Sequence, residues 1–131
     1  MKQFAKQKTI LMSIAGISGF IAVALGAYGS HGLKAEPDLY NSFSIASKYH
    51  FMHTIAIIAL ASVVENKSGI IALWMFVLGI LLFSGGIYVA VIFKIPGFTM
   101  ITPFGGITFM AGWLLFAISK ALDYKNVDFQ G

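Results

Sequence analysis

Few side chains in this chain could do chemistry: three histidines (His31, His50 and His53), five acids and no cysteine. Imidazole can move protons, ligate a metal or simply hydrogen-bond. His50 and His53 are three residues apart, about 60° around a helix, so they share a face. Tyr49 and His53 are four apart and are neighbours too. A metal centre needs neutral imidazoles backed by carboxylates, and only Glu36 and Asp38 are near. Bundle haems draw histidines from facing helices at similar depth, which this spacing does not offer. Structural hydrogen bonding is the leading reading, ahead of contact with a ligand and well ahead of a metal. No metal and no cofactor are expected.

Other chemistry falls away quickly. Without cysteine there is no disulfide, thiolate nucleophile, thiolate zinc site or palmitoylation. No serine–histidine–acid grouping is present. Gly85-Gly86 lies inside an apolar run with no strand before it, so it is no phosphate loop. No catalytic residue is assigned, and the chain is read as a non-enzyme.

The elements that carry these histidines are apolar. Four runs fill most of the 131 residues: Ile10–Tyr28, Phe43–Val64, Gly69–Phe93 and Ile101–Leu122. Each approaches or exceeds the ~20 residues that a helix needs to cross a bilayer core. None contains an acid. Hydrophobic residues make up 58% and charged residues 11%, too little charge to solvate a surface. The expected fold is all-α, an antiparallel four-helix transmembrane bundle forming one domain over residues 1–131.

The N-terminus imitates a signal peptide, with a basic start and Ala22-Val23-Ala24 as a passable cleavage site. Its apolar stretch of about 19 residues exceeds the usual signal core, so the first helix is read as retained. The polar tail Asp128-Phe129-Gln130-Gly131 receives no function.

The basic excess is all lysine. Lysines at the ends of apolar runs orient helices, and the lack of arginine removes the bidentate phosphate clamp. A nucleic-acid partner is not expected. Lys2, Lys6, Lys8, Lys67, Lys120 and Lys125 fall on one side, and Lys34, Lys48 and Lys94 on the other. That bias predicts an inner- or plasma-membrane protein with both termini cytoplasmic. Helices 2 and 4 would start on the outer side, so their positive dipole ends join the three lysines there. That face suits an anionic lipid headgroup, with Lys34, Lys48 and Lys94 as its rim.

Connections set the geometry. The first, Gly29–Ser42, is the longest, and Pro37 suits a helical first turn. Leu39, Phe43, Ala46, His50, His53 and Ile57 then form one helical stripe. Glu65–Ser68 is a tight hairpin, and Pro96-Gly97 a turn. Thr102 reads as an N-cap with Pro103 behind it. Small residues recur at helical spacing. Gly16, Gly19 and Gly26 in the first run, Gly85 and Gly86 in the third and Gly112 in the fourth are read as packing positions, since small residues let membrane helices approach.

Several segments together resemble a known family. They are Gly26-Ala27-Tyr28-Gly29-Ser30-His31-Gly32-Leu33, Tyr49 with His53, Phe83-Ser84-Gly85-Gly86-Ile87-Tyr88, Thr102-Pro103-Phe104-Gly105-Gly106 and Gly112-Trp113. The chain is similar over roughly residues 10–120 to the domain-of-unknown-function family 423. That family groups small bacterial membrane proteins with the eukaryotic transmembrane protein 256. The resemblance implies a four-helix inner-membrane protein and no particular activity. Ser30 stands where alanine is expected, and Gly86 where serine is. His50 stands where the family tends to have another polar residue, which leaves His31 and His53 as the better pair.

One outer pocket is therefore predicted, formed by His31, Tyr49, His53, Tyr88, Thr102 and Gly105. His31 and His53 would meet across the seam between helices 1 and 2, with tyrosine and threonine hydroxyls as partners. The functional expectation is a non-enzymatic bundle that interacts with lipid or a membrane partner and self-associates. A small oligomeric transporter or channel is the first rival. It would want an ionisable group inside the membrane, and no buried glutamate exists. A histidine-dependent metal- or haem-binding subunit is the second.

Overall fold

The computed structural model describes residues 2–128, so Phe129, Gln130 and Gly131 of the tail lie outside the described residues. Four helical rods form the fold. They are α1 (Lys2–Gly32), α2 (Pro37–Ala61), a composite third rod, and α5 (Thr102–Asp128). The third rod runs without a break through α3 (Lys67–Gly79), a π-helical turn (Ile80–Ser84) and α4 (Gly85–Ile92). A 3₁₀ turn, Pro96–Ile101, leads into α5. The first, third and fourth rods are long and apolar enough to cross a membrane. α2, which carries Lys48, His50 and His53, falls outside that set.

Successive rods are antiparallel. Along α1 and α2, Gly29 faces Phe43 while Ser18 bonds Thr54. Along the third rod and α5, Gly79 faces Phe109 while Gly69 faces Ser119. Four rods thus have two ends. The linker end carries residues 33–36 and 93–95, and the hairpin end carries residues 62–66.

Two connections differ from the sequence expectation. The first is residues 33–36 rather than Gly29–Ser42. Helix persists because the backbone there has no better partner than itself: Leu33 N–H still bonds Gly29 C=O at 3.3 Å, and the Leu33 side chain is buried. Thr102 is not an N-cap. Its backbone is helical (φ −58°, ψ −44°) and its N–H bonds Thr99 C=O. The 3₁₀ turn feeds α5 directly, so no free N-terminal N–H groups are left for a side chain to satisfy. Pro37 occupies the first turn of α2 as expected.

Lys94 ends α4 with φ 57°. The N–H of Ile95 bonds Ala90 C=O at 3.0 Å, the six-to-one bond of a Schellman cap. A lysine holds a position where glycine is the usual residue.

The core has two apolar clusters. Leu11, Ala15, Ile57, Leu73, Phe76 and Phe109 pack toward the hairpin end. Leu33, Phe43, Ala46, Ile87, Tyr88 and Val91 pack toward the linker end. A band of buried polar side chains on α2 (His50, His53 and Thr54) lies between them.

Candidate functional site

The polar band divides into two nodes. His50 is the hub of the first. Its Nε2 lies 2.8 Å from Ser18 Oγ of α1, and its Nδ1 lies 3.0 Å from Tyr88 OH of α4. Ser18 Oγ is also 2.8 Å from Thr54 Oγ1. Every member of this chain can donate or accept, so its direction is free to reverse. The π turn is fixed alongside, since Ser84 Oγ donates to Ala46 C=O at 2.8 Å.

The second node is locked. His53 Nδ1–H donates to Tyr49 C=O at 2.8 Å, and Trp113 Nε1–H donates to His53 Nε2 at 3.0 Å. A carbonyl only accepts and an indole N–H only donates. The ring is therefore the neutral Nδ1–H tautomer with both nitrogens occupied. It stacks on Phe109 at 3.6 Å between centroids, 10° from parallel.

The expected outer pocket is not one site. His31 is exposed at the end of α1, while both His53 nitrogens face Tyr49 and Trp113, so the predicted His31–His53 pair does not form. His50, set aside in favour of that pair, is the histidine that joins α1 to α2. The stripe already held the signal: Phe43, Ala46, His50, His53 and Ile57 are all buried. Tyr88 serves His50 rather than His53. The Tyr49 ring packs on Phe83, 4.9 Å between centroids. Thr102 Oγ1 is buried without a partner. Gly105 is a contact position, where a Cβ would strike the Phe83 backbone. Lys34, Lys48 and Lys94 are exposed; Lys34 and Lys94 belong to the two linker-end connections.

The glycine assignments also change. A Cβ at Gly16 or Gly26 would meet nothing within 4 Å, and at Gly19 only Thr54 at an ordinary 3.7 Å. Gly85 would meet only the Ile80 carbonyl at 3.7 Å. These are not tight positions, because no bulky side chain stands opposite them. The close approaches are at Gly29 against Phe43, Gly69 against Val64 and Ser119, Gly79 against Phe109, Gly86 against Ile101, Gly105 against Phe83 and Gly112 against Phe76. Five of those six lie where the third rod meets α5 or the 3₁₀ turn that leads into it.

Three cavities adjoin these groups. A lateral cleft of about 250 Å³ lies between α1, α2 and the third rod, walled by Ile14, Ile17, Ile21, Leu25, Val77, Ile80, Leu81 and Gly85. Ser18, His50 and Tyr88 also line it, within a surface that is almost entirely apolar. A vestibule of about 120 Å³ lies nearer the linker end, between α1 and α2. A third, of about 410 Å³, is bordered by Leu39, Ile45, Ile87, Thr102 and Pro103. Among the described residues, no group of three or more histidines and acids could hold a metal ion.

Sequence reasoning also missed a knot at the hairpin end. Asn66 Oδ1 accepts from Gly69 N–H and Ser119 Oγ–H, each at 2.9 Å. Asn66 Nδ2 donates to Ser119 C=O at 2.9 Å and to Asp123 Oδ1 at 2.6 Å. Lys120 reaches Val63 C=O and pairs with Asp123 at 2.8 Å. The Lys120 and Asn66 hydrogen bonds hold the Asp123 carboxyl below the usual carboxylate range.

The family described as protein of unknown function, DUF423, matches residues 25–106, from the vestibule glycine Gly26 through the close approach at Gly105. The chain belongs to this family. The DUF423 match includes His50, His53 and Tyr88, whereas Ser18 and Trp113 fall outside it. The chain is 36% identical over 113 residues to the inner membrane protein YgdD of Escherichia coli, covering 82% of this chain and 86% of that one. It is 32% identical over 116 residues to the membrane protein YwdK of Bacillus subtilis, covering 84% and 94%. A Haemophilus influenzae membrane protein is 34% identical over 114 residues, covering 84% and 92%. These names state a membrane location and no reaction. No solved structure matches the chain. With its apolar rods, this DUF423 member is an integral membrane protein.

Proposed function

We propose that the protein is a non-enzymatic lipid-binding bundle whose lateral cleft holds the chain of a membrane lipid. The carrying observation is the composition of the cleft. Its walls are aliphatic, its rim residues Ile17, Ile21 and Leu81 are exposed, and one wall offers Ser18, His50 and Tyr88. About 250 Å³ is below the ~300 Å³ at which drug-sized pockets begin. It suits a slender chain with one hydrogen-bonding group. Gly85, beside the π turn, keeps the wall open.

The exposed Lys34, Lys48 and Lys94 support an anionic headgroup as the polar partner at the linker end. The six-to-three lysine bias supports that end being extracytoplasmic, with both termini inside the cell.

Photo-crosslinking tests the cleft. Vesicles containing a phospholipid with a diazirine on its acyl chain should label the Ile17–Ile21 and Leu81 region above the exposed faces elsewhere. Gly85→Leu fills the cleft where a Cβ has room, and should abolish that excess. Even labelling over the outer faces of α1 and α5, unchanged by Gly85→Leu, would reject the reading.

A further inference from the structure

The vestibule between α1 and α2 is unlike the cleft. Ser30, Tyr40, Ser44 and Ser47 line it together with Gly26 and Gly29. Its volume of about 120 Å³ is several times the ~30 Å³ share of one water. Ser47 Oγ is buried without a hydrogen-bond partner, an arrangement native proteins usually complete with water. Ser47 also lies beside Tyr88, whose hydroxyl is bonded to His50. The next links, His50 to Ser18 and Ser18 to Thr54, are both 2.8 Å. Ser18, His50 and Tyr88 border the cleft.

We infer that Ser47, Tyr88, His50 and Ser18 form a proton relay from a water-filled vestibule at the linker end to the cleft. Vestibule water delivers a proton to the hydroxyl of Tyr88, directly or through Ser47, as Tyr88 passes its own to His50 Nδ1. His50 gives up its Nε2 proton to Ser18, and Ser18 passes its own to a group in the cleft, its oxygen being held by Thr54 meanwhile. Each member breaks one O–H or N–H bond and makes another. One proton crosses from water to the cleft, no electron moves, and hydroxyl rotation with a tautomer change resets the chain. His53 cannot take part, because Trp113 and Tyr49 hold its tautomer.

The relay identifies the class of cleft occupant, on the reading that the cleft binds lipid. The occupant carries a group that gives or takes a proton, as a long-chain carboxylic acid does and its methyl ester does not.

The chain's own histidines supply the controls for a test without ligand. The protein is labelled with ¹⁵N in its imidazoles and placed in nanodiscs of phosphatidylethanolamine and phosphatidylglycerol. Exchange of each ring N–H with water is then read by NMR. His31, exposed, should exchange fastest and His53 slowest, with His50 well above His53. Tyr88→Phe keeps the ring and removes the hydroxyl. Gly26→Leu fills the vestibule from a position where a Cβ meets nothing. Both should drop His50 to the His53 rate, and Gly16→Leu, open but away from the vestibule, should not. A wild-type His50 as slow as His53, or a fast His50 untouched by both variants, would overturn the relay. A second arm compares a diazirine-bearing fatty acid with its methyl ester. Preferential cleft labelling by the acid is expected, and equal labelling would overturn the ligand class while leaving the lipid cleft standing.

Discussion

Trp113 donates its indole N–H to Nε2 of His53 at 3.0 Å, and with that bond an imidazole on α2 is tied to a helix sixty residues away. Changing His53 to Phe preserves the stacking on Phe109 but leaves the Trp113 N–H without its acceptor. The expected loss is about 1–3 kcal/mol, measured by unfolding in mixed micelles. Trp113→Phe should cost part of the same free energy, and the double variant less than the sum of the two. Strict additivity in that cycle would show that the two rings do not interact.

The glycines divide by what stands opposite them. Gly105→Ala drives a methyl into the Phe83 backbone and should destabilise by about 1–3 kcal/mol, as overpacking does. Gly16→Ala has open space and should gain about 0.5–1 kcal/mol from helix propensity. The same unfolding assay reads both. A tolerated Gly105→Ala would mean that the third rod and α5 are farther apart than described.

The knot at the hairpin end makes a pH-dependent prediction. The Asp123 carboxyl is held low by Lys120 and then by Asn66, so its charged form is favoured in the fold. Its contribution is complete above the ordinary carboxylate pKa of about 4 and disappears as pH falls below that toward the lowered folded value. The pair is partly exposed, so the effect is at most about 1 kcal/mol. Asn66→Ala should cost a further ~1–2 kcal/mol through the lost cap on Gly69 and should flatten this acid limb. An acid limb of unchanged depth in Asn66→Ala would place its source elsewhere.

Orientation is open to reporter fusions. Those after Leu33 and Pro96 should report an extracytoplasmic position, and those after Lys67 and at the C-terminus a cytoplasmic one. The reverse pattern would move the vestibule to the cytoplasmic side.

Sequence patterning revealed the four rods and the buried stripe of α2, because both depend on local periodicity. It failed where a residue's role depends on a partner far along the chain. Asn66 reads as a hairpin residue until Ser119 and Asp123 are placed beside it. Gly79 is tight only because Phe109 faces it, and Gly26 is open only because nothing comparable faces it. His50 and His53 look equivalent on one helix face. Ser18 and Tyr88 leave the first adaptable, and Tyr49 and Trp113 lock the second. The π turn across Ile80–Ser84 has no signature in a run as uniform as Ile-Leu-Leu-Phe-Ser.

α2 carries the buried polar band of the fold, and the other rods supply its partners. Alone in hydrocarbon, α2 would present His50, His53 and Thr54 without their partners on the other rods, and a helix with that load gains little from entering lipid. Ser18 on α1 supplies the first acceptor, while Tyr88 and Trp113 follow only with the later rods. Stability of α2 is therefore shared along the whole chain: its polar band has its full set of hydrogen bonds only once the third rod and α5 have packed beside it.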